Sequence, residues 1–238
     1  MACILNIETA THLCSVVLAR NGSVIAARET FEEKSHAAKL TVFIEEVLKE
    51  ANLSVADLDA VAVGKGPGSY TGLRIGVSVA KGLCYGSGLP LIGIDTLSIM
   101  VRHVMTHHSG LVQSLPLQSE IILCPMIDAR RMEVFTCLYS VQGIAIQPVQ
   151  ALVVEHDTFK QYLDDRMMVF FGSGMDKCRE VLRHPHAAFI PDIHPHASSL
   201  ALHAEENYAG NVFENVAYFE PFYLKDFIAT TSKKGLRV

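Results

Sequence analysis

Apolar positions along the chain fall into short runs and helical stripes that alternate in a definite order. Residues 3–8, 13–20 and 23–31 read as three strands, and Asn21-Gly22 supplies the positive φ angles of a two-residue type I′ hairpin between the last two. The period then becomes helical. Ser35 has the hydroxyl of an N-cap, and Leu40, Phe43, Ile44, Val47, Leu48 and Ala51 recur at helical spacing opposite Lys39, Glu46, Lys49 and Glu50. Ala60 to Gly64 is too short and too apolar for anything but a buried strand. A loop from Lys65 to Thr71 leads into a helix to about Tyr85, followed by a strand from Leu89 to Ile94 and a helix from Thr96 to about Met105.

The order strand-strand-strand-helix-strand-helix-strand-helix describes a hairpin-built meander that continues into parallel crossovers. Such a mixed α/β sheet flanked by helices is the ribonuclease H-like layout. After a polar connection around 106–119, residues 120–127, 132–140 and 144–154 again read as strands, with Gln142-Gly143 as a turn. A helix from about Asp157, a strand over Met167 to Phe171 and a helix after Gly172-Ser173-Gly174 follow. The second half repeats the first in element order, though not in residues. The expected architecture is therefore two ribonuclease H-like subdomains, 1–105 and a smaller, degenerate 106–238, in a short form of the actin-like ATPase fold.

Composition narrows the class. With 238 residues, half of them hydrophobic, 19% charged and a mean hydropathy of +0.27, the chain can bury a core and is not a disordered one. Arg74, Lys81 and Asp95 interrupt its richest apolar stretch, so no membrane span is expected. The first residues carry no basic start and reach Glu8 before a signal-peptide core can form, which points to the cytoplasm. The net charge of −5 argues against a nucleic-acid grip, because binding a polyanion by counterion release needs clustered cations. Such a cluster occurs only in the tail, where Lys225, Lys233, Lys234 and Arg237 face Asp226. If RNA is involved, another chain is expected to supply most of the contact. The six cysteines are scattered without a CxxC pair and read as small core residues.

Three stretches invite a chemical reading. Gly64-Lys65-Gly66-Pro67-Gly68-Ser69-Tyr70-Thr71-Gly72 opens directly into a helix, whose free N–H groups attract anions; Ser69 and Thr71 add hydroxyls. It is neither a Walker A loop nor a Gly-x-Ser-x-Gly elbow. The alternative is a tight strand-to-helix turn in which Ser69 or Thr71 only caps the helix, and composition favours it. In actin-like ATPases the first hairpin, here Glu8-Thr9-Ala10-Thr11, approaches the phosphates and holds the metal ion. Ala10 stands where close approach asks for glycine, and Glu8 is one methylene longer than the Asp that suits compact Mg²⁺ coordination. No catalytic residue is assigned. Glu8, Thr9, Thr11 and Ser69 are kept only as a weak, vestigial nucleotide contact. Asp128 to Val134, with Arg130, Arg131 and Glu133, reads as a turn whose charges either reach a partner or bond within it, and for so short a charged turn the local reading is favoured. The histidine groups His103/His107/His108, His184-Pro185-His186 and His194-Pro195-His196 read as solvated, and no metal site is expected.

Together, Ile7-Glu8-Thr9-Ala10-Thr11 with Cys14-Ser15-Val16, the Gly64–Gly76 segment, and Ile127-Asp128-Ala129-Arg130 with Glu133-Val134 resemble the bacterial TsaB (YeaZ) family. The likeness is dense over 3–100, returns at 121–135 and is thin afterwards apart from 221–225. The resemblance implies an actin-like fold without its catalytic equipment. It implies a noncatalytic partner of a TsaD-type subunit which, with a TsaE-type ATPase, installs a threonylcarbamoyl group on N6 of the adenosine beside the tRNA anticodon. It also implies a homodimer when the protein is alone, and no cofactor beyond a nucleotide contacted within the complex. The metal-binding His-x-x-x-His of TsaD is missing, since His36 is followed four residues later by Leu40.

The family's partner surface lies on the first two helices, which selects Leu40, Phe43, Val47, Ile75, Gly76, Val79 and Leu83. The pattern supplies an independent reason: on the helix from Thr71, the polar residues Arg74, Ser78, Lys81 and Tyr85 leave an apolar arc too wide for one sheet to cover. Competing readings are an independent actin-like phosphotransferase, a glycopeptidase-type hydrolase, or a sugar-binding module. The first two require a positioned nucleophile or metal acid, and none is visible.

Overall fold

A computed structural model of the chain describes residues 2–32, 35–115 and 121–225. Strands β1 (Cys3–Glu8), β2 (Cys14–Arg20) and β3 (Ser23–Thr30) form the antiparallel meander, and Asn21 and Gly22 both have positive φ, as the hairpin requires. Helix α1 (His36–Glu50) leads through a single 3₁₀ turn (Val55–Asp57) to β4 (Ala60–Gly66). Then come α2 (Tyr70–Ser87), β5 (Leu91–Asp95) and α3 (Thr96–His107). The strand order is β3-β2-β1-β4-β5, with β4 and β5 parallel to β1. Ser35 occupies the N-cap position of α1, but its hydroxyl donates to the Glu32 carbonyl at 2.6 Å and caps no helical N–H, contrary to expectation.

The second half contains α4 (Ser109–Gln113), β6 (Ile122–Asp128), β7 (Glu133–Thr136), β8 (Tyr139–Ser140) and β9 (Gln150–Val153). It continues with α5 (Lys160–Leu163), β10 (Met168–Phe171), α6 (Met175–Cys178), β11 (Ala187–Ile190) and α7 (Ala197–Ala209). Its sheet runs β11-β10-β6-β7-β9, with β6, β10 and β11 parallel and β7 antiparallel to both neighbours. Read from the other edge, this is the order of the first sheet. The ribonuclease H-like topology thus occurs twice.

Side chains of the first sheet alternate between its two faces. Leu5, Ile7, Val61 and Val63 meet α1 and α2, whereas Ile4, Ala60, Ala62, Ile92 and Ile94 meet α7 and Ile99 of α3. The α7 face is built from alanines, with Ala197 and Ala201 against Val17 and Ala19, so helix and sheet approach closely. Helix α7 lies within the 106–238 stretch assigned to the second subdomain, yet it packs on the first sheet. Helix α3 works in both directions: Ile99 enters the first core, while Leu97, Met100, Val101 and Val104 enter the second. The six cysteines are free and buried. No helix of the described residues is long and apolar enough to cross a membrane.

Candidate functional site

The Gly-rich segment at the end of β4 and the start of α2 lies directly against the β1–β2 turn. A Cβ at Gly64 would overlap the Glu8 carboxylate; one at Gly68, the Ala10 carbonyl; one at Gly72, the Thr9 carbonyl; and one at Gly76, the Thr9 hydroxyl. Positions 68, 72 and 76 stand one helical turn apart and form a single bare row into which the turn is pressed. Hydrogen bonds lock the contact: Thr9 Oγ1 donates to the Gly72 carbonyl at 2.8 Å, and the Ser69 N–H donates to the Ala10 carbonyl at 2.7 Å. The space that in the expectation admitted a phosphate is filled by the protein's own backbone.

Glu8, Thr9 and Ala10 are fully buried. The Ala10 N–H donates to Glu8 Oε1 at 2.6 Å, while Oε2 has no partner. Burial pushes the Glu8 carboxyl up to about 8, against the pull of the Ala10 and Thr9 backbone N–H groups. In this arrangement neither Glu8 nor Thr9, the two hairpin residues expected to contact a nucleotide, is open to solvent. Thr11 is half-buried, and its hydroxyl accepts from the Leu13 N–H. Ser69 is exposed and caps α2 by accepting from the Gly72 N–H at 3.3 Å, the capping alternative of the two sequence readings. Among the described residues, no group of three His, Cys, Asp or Glu side chains is placed to hold a metal ion.

At the matching hairpin of the second half, Asp128 accepts from the Arg130 N–H at 2.9 Å, and Lys177 pairs with Asp128 and donates to the Glu133 carbonyl. Arg130 and Arg131 both adopt positive φ in this turn. Asp128 thus bonds within the turn and to α6, while the Glu133 carboxylate meets Lys225 from outside it.

The expected partner surface divides. Leu40 and Val47 are fully buried in the protein's own core, and Gly76 is closed against Thr9, so these three face inward. Phe43 is half-buried against the same core. Ile75, Val79 and Leu83, at successive four-residue steps along α2, are partly exposed and, like Phe43, also pack in part against the first core. Beside them Gly82 and Gly86 have no atom within 4 Å of a hypothetical Cβ, and Tyr85 is 88% exposed. A groove of about 540 Å³ runs along Gly82, Leu83, Gly86 and Leu89 to the 3₁₀ turn.

One border of this face was not anticipated. After α7 the chain pairs with β5, Glu214 N–H donating to the Leu91 carbonyl at 2.8 Å, and then straps across α2. Lys81 Nζ holds the strap through the carbonyls of Ala217 (3.2 Å) and Phe219 (2.8 Å), the Phe222 N–H donates to the Lys65 carbonyl, and Tyr223 rests on Tyr70. Lys81, read from the sequence as a solvent position, is a fastener. Lys225 pairs with Glu133; the remaining tail cations Lys233, Lys234 and Arg237 lie outside the described residues.

Two ribonuclease H-like sheets of identical strand order, joined by α3, define an actin-like ATPase fold in short form, with its first phosphate-side turn shut. A family model described as "TsaD: tRNA N6-adenosine threonylcarbamoyltransferase" matches residues 23–233. The chain is 41% identical over 99 residues to the tRNA threonylcarbamoyladenosine biosynthesis protein TsaB of Escherichia coli, covering 42% of each chain. It is 32% identical over 146 residues to the protein of that name from Bacillus subtilis, covering 61% of this chain and 58% of the relative. The matched stretches thus span about half the length of these curated relatives. A solved structure from Pseudomonas aeruginosa, described as an uncharacterized protein with similarity to peptidase YEAZ, superposes with a TM-score of 0.80 at 25% identity, over 94% of this chain and 100% of that one. The chain belongs to the TsaD family, in its TsaB (YeaZ) branch.

Proposed function

We propose that the protein is a noncatalytic partner subunit of the machinery that places a threonylcarbamoyl group on N6 of the adenosine beside the tRNA anticodon. It binds and activates a TsaD-type catalytic subunit through the outer face of α2. A TsaE-type ATPase joins the same complex, tRNA is reached through the partners, and the isolated chain pairs with a second copy in the cytoplasm. Nucleotide, if contacted at all, is contacted only in the complex. The names of the TsaB relatives support the pathway.

The observation that carries the noncatalytic reading is the closed hairpin. The bare row of α2 is filled by the Thr9 and Ala10 backbone, and the only acid in that turn, Glu8, is buried with one oxygen unpaired. Support for the partner face comes from Ile75, Val79 and Leu83 beside the uncovered Gly82 and Gly86, since a helix without side chains at two successive turns lets another helix approach its backbone. The two subdomains, 1–105 and 106–238, act as one platform for this face.

Val79→Asp tests the assignment. Val79 is only partly buried, so the variant is expected to remain folded and soluble, while an unpaired carboxylate in a closed contact weakens pairing by several kcal/mol. It should no longer co-elute with a TsaD-type subunit in size-exclusion chromatography, and the isolated wild type should turn over ATP no faster than buffer. A folded variant that still pairs refutes the face; wild-type turnover lost on Glu8→Ala refutes the noncatalytic reading.

A further inference from the structure

Histidines that are far apart in sequence converge behind the first sheet. Helix α3 contributes His103, His107 and His108, the loop before α7 contributes His194 and His196, and the β1–β2 turn contributes His12. The His103 ring stacks on His196 with centroids 4.7 Å apart and planes at 21°, and lies 4.7 Å from His107 and 6.0 Å from His108. His194 packs edge-on against Phe31 at 4.9 Å and stands 6.4 Å from His196. His12 and His107 are exposed, whereas His103 and His196 join elements. His103 Nδ1 bonds to Ser199 Oγ of α7 at 2.9 Å, and His196 Nδ1 to Glu29 Oε2 of β3 at 3.0 Å. Alongside, Arg102 of α3 binds Glu206 of α7 at 2.8 Å, with His203 next to both.

We propose that this histidine stack is an acid-released clasp, which holds α7 and the loop before it onto α3 and β3 while its rings are neutral and lets them go when they are protonated.

The charges around the stack set the order of events. Negative groups are Glu29 on β3, Asp192 on the loop and Glu206 on α7; Arg102 adds a positive one. His196 reaches across to Glu29 of β3. His103 is different. Its charged neighbours are His196, His107, His108 and His194, and together with burial, the larger cause, they push its imidazole down to about 3. His194 is held down by burial and by His196, although Asp192 and Glu29 oppose this. A histidine whose folded value is depressed contributes stability that is complete above its ordinary value, near 6.5, and is lost as pH falls toward the folded value. Once α7 lifts, His103 is free to take a proton. From 6.5 and about 3, its contribution alone raises the opening equilibrium about tenfold between pH 7.5 and 5.5.

Hydrogen exchange of the full chain, read by mass spectrometry at pH 7.5 and 5.5 and corrected for intrinsic rates, tests the clasp. Peptides covering 192–209 should open about tenfold more at pH 5.5, while peptides of β1 and β4 hold their protection. In His103→Gln, which stays neutral and retains a hydrogen-bonding side chain, the response of 192–209 should shrink to the remainder owed to His194 and His203, both also held down chiefly by burial. Should that variant fail to fold, His196→Gln, at a partly exposed position, should reduce the response by removing the stacked neighbour. Unchanged protection of 192–209 with pH, loss in step with β1 and β4, or a full response in a folded Gln variant overturns the proposal.

Discussion

The bare row on α2 makes one kind of substitution act with opposite signs on a single helix. Gly72→Ala introduces a methyl group where the Thr9 carbonyl lies, and a backbone carbonyl held between β1 and β2 cannot rotate aside. Overpacking of this kind costs about 1–3 kcal/mol. The displaced Thr9 hydroxyl loses its bond to the Gly72 carbonyl, costing about 1 kcal/mol more. Alanine returns about 1 kcal/mol through its higher helix propensity. The net is a destabilisation of about 1–3 kcal/mol, which for a chain of this size lowers Tm by roughly 2–12 °C. Gly82→Ala lies two to three turns further along α2, where no atom comes within 4 Å of the added methyl. Only the propensity gain remains, so stability should rise by up to about 1 kcal/mol. Urea or thermal melts of the two variants beside wild type measure both signs. Wild-type stability of Gly72→Ala would show that the turn does not fill the row and would reopen it as a ligand site, and destabilisation by Gly82→Ala would show that position 82 is not open.

Two further outcomes follow from the same contacts. Glu8, raised by burial from an ordinary carboxyl to about 8, binds its proton more tightly folded than unfolded, so its stability contribution is complete below about 4.5 and is lost as pH rises through 8. Wild type should therefore lose stability in urea melts between pH 6.5 and 8, and Glu8→Gln should flatten that decline; an identical slope in both proteins would contradict the neutral buried carboxyl. Lys81→Ala removes the donor that binds the carbonyls of Ala217 and Phe219. Limited proteolysis should then cut 212–223 faster than in wild type, with the rest of the digestion pattern unchanged, and an unaltered cleavage rate would show that Lys81 does not fasten the strap.

Much of the first half was legible along the chain. The strands were readable because runs such as Ala60 to Val63 are buried on both faces, and the hairpin at Asn21-Gly22 because positive φ at two successive residues admits few sequences. Helix α7 was not readable. Its buried face is Ala197, Ser199, Leu200, Ala201 and Ala204, and a stripe of small residues carries little of the contrast by which an amphipathic helix is recognised. The same applies to the four-residue β11. The strap was missed because its anchors are backbone carbonyls, which every sequence has.

The sequence by itself determined the order of elements in the first half, the family likeness and the glycine-rich stretch at the start of α2. Glycine records that a neighbour needs the space of a side chain and is silent on what the neighbour is, so a phosphate and the Thr9 and Ala10 carbonyls leave the same trace. Only the tertiary structure decided between them. It also decided which of the apolar helix residues serve the core, turning Leu40 and Val47 inward and leaving Ile75, Val79 and Leu83 at the surface. And it brought His103 against His196 from 93 residues away, where a helix end and a loop that looked solvated in isolation become neighbours because α7 folds back onto the first sheet.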